Sequence, residues 1–144
     1  MATAAKGVYF EDLKVGDEAS LANTVTEATI DAFAEVTGDR NPVHMDTEYA
    51  ATTMFEGRIA HGMLSAGYIS AVFGMKLPGP GAIYISQTLN FKAPVKIGDT
   101  VVTTVKVIEL VPEKKRARFA CVCAVNSKPV VQGEAVMMVP GRPA

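Results

Sequence analysis

Residues 37–44, TGDRNPVH, place a carboxylate, a carboxamide and an imidazole within eight positions. Asp39 and His44 are the members able to exchange protons in water, the first as a base, the second as base or acid. Gly38 frees the chain to turn sharply, and Pro42 disfavours helical geometry at Asn41. The spacing predicts a bent, extended loop over 39–44, just past a helix end. Across such a bend the two side chains could flank one water molecule. Asp and Asn are common in turns for local reasons, and a lone His is more often structural than reactive. The pair, not either residue, carries the inference.

A second element is AHGML at 60–64, which opens a long apolar segment. A helix N-terminus presents unpaired N–H groups and partial positive charge, and Gly62 has no side chain to block an approaching oxygen. A carbonyl that becomes negative during a reaction needs such a place. The plainer alternative is that Gly62 permits close packing and that His61 caps the helix. Asp39, His44, Asp46 and His61 could in principle ligate a metal, but their spacing matches no helix-borne motif, and none is expected. There is no G-x-S-x-G elbow, dinucleotide-binding glycine motif or phosphate loop.

The elements that must position these residues follow from periodicity. Residues 18–25 form a first strand. Thr26 can cap a helix running through Thr37, with Gly38 at its end. A short helix over 47–51 can start from Asp46. Residues 59–75 are uncharged, and the helical pattern there is apolar nearly all round, so this helix should be enclosed on most sides, with close packing offsetting its glycines. Pro78-Gly79-Pro80-Gly81 ends it. From 82 onward the period becomes two, with alternating runs over 82–91, 101–107, 116–125 and 131–139. Lys14-Val15-Gly16-Asp17 and Lys96-Ile97-Gly98-Asp99 are matching turns before strands. Short turns imply antiparallel pairing. The expected architecture is α+β: a curled four- or five-stranded antiparallel sheet around one long helix, with a sheet edge suited to a second copy.

Composition narrows the class. A chain of 144 residues is expected to form one domain, 1–144, with a core large enough to need no staples. Net charge is −1, from 14 basic and 15 acidic residues without a basic stripe, so neither nucleic acid nor an anionic membrane is an expected partner. The N-terminal stretch lacks a signal-peptide core, and 59–75 is short and glycine-rich for a membrane span. Cys121 and Cys123 share a strand face and are read as small buried thiols of a reducing, cytoplasmic compartment.

TGDRNPVH, followed by IAHGML and by IYISQTLNFKAPVKIGDTV, resembles the R-specific enoyl-CoA hydratases, the MaoC-like or hydratase 2 family. The likeness runs from about Val8 to Val139 and is strongest to the short single-domain type linked to polyhydroxyalkanoate supply. It implies a hot dog fold and a homodimer with active sites near the subunit interface. It also implies reversible syn hydration of trans-2-enoyl-CoA to (R)-3-hydroxyacyl-CoA without a metal or redox cofactor. Asp39 and His44 fall on the family's catalytic pair, and Gly62 on the N–H that receives the thioester carbonyl. Ser70 falls on a lining serine, and Asn41 would orient the pair or its loop. Asp39 is then expected as a buried base and His44 as water-orienting partner and proton donor, although coupled groups share protons and the sequence leaves the roles open. Arg58, Lys76, Lys92 and Lys96 are available for the CoA phosphates. The alternatives are a dehydratase of acyl-carrier-protein thioesters, a thioesterase and a non-catalytic thioester-binding module.

Overall fold

The computed structural model describes residues 7–144; residues 1–6 of the N-terminal stretch lie outside that range. The elements run β1 (Glu18–Thr24), α1 (Glu27–Thr37), α2 (Pro42–Met45), α3 (Thr47–Ala51), α4 (Gly62–Met75), β2 (Ile83–Gln87), β3 (Asn90–Phe91), β4 (Thr100–Val111), β5 (Arg116–Val125) and β6 (Lys128–Met138). The strands form one antiparallel sheet in the order β1-β4-β5-β6-β2, with β3 also on β6.

Local chemistry accounts for most boundaries. Thr26 and Thr29 exchange side-chain-to-backbone bonds in a capping box at the start of α1, and Gly38 ends that helix in the left-handed region at φ 80°. Asp46 caps α3 by accepting from Tyr49 N. The two Gly-Asp turns are built alike. Asp17 accepts from Lys14 N and Asp99 from Lys96 N, at 2.9 and 2.8 Å, with Gly16 and Gly98 at positive φ.

The core lies between α4 and the sheet. Leu64, Ile69, Val72 and Phe73 of α4 face buried alternate residues of β4 (Val101, Val105, Val107), β5 (Ala117, Phe119, Cys121, Cys123) and β6 (Ala135, Met137). Phe73 meets Phe119 edge-on at 4.9 Å between centroids. This helix-in-sheet packing is the hot dog arrangement. Burial pushes the Cys121 thiol up to about 11, so it is protonated and inert at neutral pH. No helix among the described residues is long and apolar enough to cross a membrane.

Three local expectations are corrected. Residues 42–45 form a helical turn, not extended chain. Pro42 suits a first helical position, and the Asn41 side chain accepts from Val43 N to cap it. The helix α4 is not enclosed on most sides in the single chain: Met63, Gly67, Ser70 and Gly74 form an exposed stripe, and nothing packs within 4 Å of where a Cβ would sit on Gly67 or Gly74. The alternating run over 82–91 is split into β2 and β3, which brings the sheet to six strands.

The split has a cause in β6. The Thr88 peptide crosses Gly133, whose hypothetical Cβ would lie 1.8 Å from Thr88 O. Thr88 N donates to Glu134 O at 2.8 Å, and Glu134 N donates to Thr88 Oγ1 at 3.0 Å. This crossing sets the position of β3 and hence of Phe91. A Gly133→Ala change must displace backbone, so it should cost about 3 kcal/mol or more and lower Tm by on the order of 10 °C. An unchanged thermal melt would refute this account of the crossing.

Candidate active site

The site forms where α1, α2 and the start of α4 meet. A carboxylate oxygen of Asp39 and a ring nitrogen from each of His44 and His61 lie within 4.8 Å of one another. Even at that limit one water making bonds of about 2.8 Å spans two acceptors, at an angle no wider than roughly 118°. Asp39 and His44, proposed from spacing alone, are therefore brought together. Asp39 is exposed in the single chain, not buried as expected, because it lies on the loop between α1 and α2 at the rim.

His44 is fixed through both its ring and its main chain. Its Nδ1 is 2.8 Å from Ile59 O. A carbonyl only accepts, so Nδ1 carries the proton and Nε2 of the neutral ring is a lone-pair acceptor. Burial holds the His44 pKa below the usual 6.5, aided by nearby His61 and opposed by the Ile59 carbonyl and Asp39. The neutral form is thus the resting form at pH 7. The carbonyl of His44 accepts from Arg58 Nε at 2.5 Å, and the same guanidinium reaches Glu27 and Asp31 of α1 at 3.2 and 3.0 Å. Only 9% of the Arg58 side chain is exposed. Arg58 is thus engaged in holding α2 to α1 and is not free for a CoA phosphate. An acidic pair four apart on α1, Glu27 and Asp31, was the available sequence signal for this partner.

Beside the pair opens a cleft of about 490 Å³, lined by His44, His61, Gly62, Phe91, Val95 and Val131 among others. Gly62 is the first residue of α4, so its N–H has no intrahelical acceptor. Close packing also operates there, since a Cβ on Gly62 would lie 2.8 Å from the Phe91 ring. Asn41 N donates to an Asp39 carboxylate oxygen at 3.2 Å while its side chain caps α2, so Asn41 shapes the loop and does not enter the cleft lining. Ser70 is exposed on α4 and outside the cleft; Ser65, one turn into the helix, lines it instead. Lys92 lines the cleft, whereas Lys76 and Lys96 do not.

Asp39, His44 and His61 are also the described cluster with potential metal ligands, while Asp46 is occupied in capping α3. The two imidazoles stack, with centroids 4.0 Å apart and planes at 30°.

The MaoC like domain profile matches residues 14–132. The chain belongs to the MaoC-like family. It is 60% identical over 134 residues to the (R)-specific enoyl-CoA hydratase of Rhodospirillum rubrum, covering 93% of each chain. It is 56% identical to the 3-hydroxybutyryl-CoA dehydratase of Methylorubrum extorquens, over 92% of this chain and 85% of that one. Among solved structures, the unliganded R-hydratase PhaJ1 of Pseudomonas aeruginosa superposes with a TM-score of 0.90 at 47% identity, over 94% of this chain and 88% of that one. The hot dog fold of this MaoC-like chain is shared with that neighbour.

Replacing Arg58 tests the tie between α2 and α1. Arg58→Met should lower stability by about 2 kcal/mol, through lost charge-assisted bonds. Arg58→Lys should recover little, since a compact ammonium lacks the spread, planar fork with which the guanidinium reaches three separate partners. Thermal melts of the two variants would decide, and a lysine variant as stable as the parent would contradict this role.

Proposed function

We propose that this MaoC-like protein is an (R)-specific enoyl-CoA hydratase, adding water reversibly and syn to a trans-2-enoyl-CoA. The observation that carries the reading is the convergence of Asp39 with His44, which lines a largely apolar cleft together with Gly62 at a helix start, while Asp39 lies at the rim outside that lining. The thioester makes the β-carbon electrophilic, and addition of water there places negative charge on the thioester oxygen as an enolate. Gly62 N–H, assisted by the helix end, would receive that charge, and losing one such donor costs about 3 kcal/mol.

Asp39 and neutral His44 are two acceptors for the two protons of one water. As the water oxygen bonds to Cβ, one O–H proton passes to the pair, with Asp39 as the base. The same proton then returns from that side to Cα while the enolate collapses to the thioester. Proton removal and return from one side give syn addition. With Nε2 unprotonated at rest, His44 first acts as an acceptor orienting the water. It becomes a donor only after a proton has been passed to it, which refines the donor role expected from the sequence. No metal or redox cofactor enters this scheme. Dehydration of carrier-protein thioesters would use the same groups in reverse, and rates on carrier-bound and CoA-bound enoyl groups separate the two.

The protein is further proposed to act as a homodimer. The stripe of Met63, Gly67, Ser70 and Gly74 lies open on α4, and β2 is an edge strand with Ile83, Tyr84 and Ile85 exposed. A second copy covering both would remove an apolar face and an unpaired strand edge from water. Ser70, outside the single-chain cleft, falls on the face so covered, which is where a lining residue shared between protomers belongs. Supply of (R)-3-hydroxyacyl-CoA for polyhydroxyalkanoate in a reducing cytoplasm fits this reading.

Asp39→Asn and His44→Ala should each lower hydration of crotonyl-CoA by about 100-fold or more with the fold retained, followed as loss of enoyl-thioester absorbance. For the parent enzyme, kcat/KM should fall on the acid side with a midpoint below 6.5, because protonation removes the His44 acceptor. Parent-like turnover in either variant would discard the pair. Gly67→Glu, in a position with space around it, should leave a folded chain that sediments as a monomer while the parent sediments as a dimer; a monomeric parent would end the dimer proposal.

A further inference from the structure

His61 is 3% exposed, so its imidazole is almost wholly withdrawn from water. Its Nε2 lies 2.8 Å from Asp39 O, and a carbonyl only accepts, so Nε2 carries a proton and donates. Nδ1 is buried and has no hydrogen-bond partner among the described residues. A phenyl ring would occupy the same place without a desolvated, unpaired nitrogen. What the imidazole supplies that a phenyl cannot is the bond to the Asp39 carbonyl.

The ring sits where three helices meet. Phe33 of α1 is 4.7 Å away between centroids, and the His44 ring of α2 is 4.0 Å away. Asp39 lies on an exposed loop, and its own main chain has two side-chain partners among the described residues: Thr37 Oγ1 accepts from its N–H at 3.2 Å, and His61 holds its carbonyl. Segment 59–61 therefore holds both members of the pair, His44 through Ile59 O and Asp39 through His61. The titratable groups against His61 are Asp39 and His44 themselves.

We propose that His61 is a positioning residue that sets the separation of Asp39 and His44, carrying the Asp39 main chain on one ring edge and the His44 ring on one face. The proposal rests on the assignment of Asp39 and His44 as the water-holding pair. His61 does not need to touch the reacting atoms. A shift of about 1 Å in the Asp39 carboxylate would change the geometry in which the pair grips one water, and displacements of that size cost about 100-fold in rate.

Steady-state kinetics with crotonyl-CoA on purified, folded variants tests this. His61→Phe keeps ring volume and stacking but loses the donor; kcat should fall about 10- to 100-fold with KM within about threefold. His61→Gln places an amide N–H near the Nε2 position and should stay within about fivefold of the parent kcat. Should the phenylalanine variant not fold, His61→Asn, whose amide stops short of the Asp39 carbonyl, takes its place with the same expectation. Parent-like kcat in the variant lacking the donor overturns the proposal, as does a glutamine variant as slow as that one, or a change confined to KM. Asp39→Asn serves as the control. If it is inactive while His61→Phe is normal, the positioning role alone falls; if it turns over like the parent, the pair falls and the positioning role falls with it.

Discussion

The hydrogen bond from His44 Nδ1 to the Ile59 carbonyl decides which ring nitrogen can face a substrate, and much of the structure serves to keep that carbonyl in place. Ile59 bridges to Lys96, and Ala60 N donates to Val95 O at 2.7 Å, so residues 59–61 are strapped to the segment before β4. Immediately afterwards α4 begins, anchored by Leu64, Ile69, Val72 and Phe73 in the core. The placement of one proton on one imidazole is thus backed by the main hydrophobic packing of the molecule. That is how a short exposed loop can be held to the tolerance that the proposed proton transfer demands.

Electrostatics and packing are divided between the two ends of the cleft. Phe91, Val95 and Val131 provide apolar walls, and the polar groups gather where α2 and α4 approach. Burial there favours the neutral imidazole. The outer charges do a different task. Arg58 joins Glu27 and Asp31 to the His44 carbonyl and so converts ion pairs on the surface of α1 into restraint on the α2 main chain. Such pairs are modest as stabilisers when their carboxylates are exposed, as these are, but their geometric effect on the loop does not depend on that.

Glycine is used at the site in two physically different ways. Gly133 admits the Thr88 peptide and so fixes β3, which delivers Phe91; Gly62 admits the Phe91 ring and leaves an unpaired N–H beside it. The two positions are far apart in the chain yet meet through one side chain. A third use, on α4, is the absence of bulk at Gly67 and Gly74, which leaves a smooth open stripe on a helix whose other faces are filled.

Much of this was legible in residue order. The caps at Thr26 and Asp46, the stop at Gly38, the two Gly-Asp turns and the alternation in β4 and β5 are interactions over two to four positions, which composition and spacing express directly. The string holding Asp39 and His44 was equally visible, and so was the apolar helix that follows. Tertiary structure decided the rest. The break between β2 and β3, the occupation of Arg58, the exposure of Asp39, the presence of Ser65 in the single-chain cleft and the bond from His61 to Asp39 all depend on partners 14 to 46 positions away or on which helix face meets the sheet. Local propensity is blind to such contacts, because they exist only once hydrophobic burial has brought distant segments together.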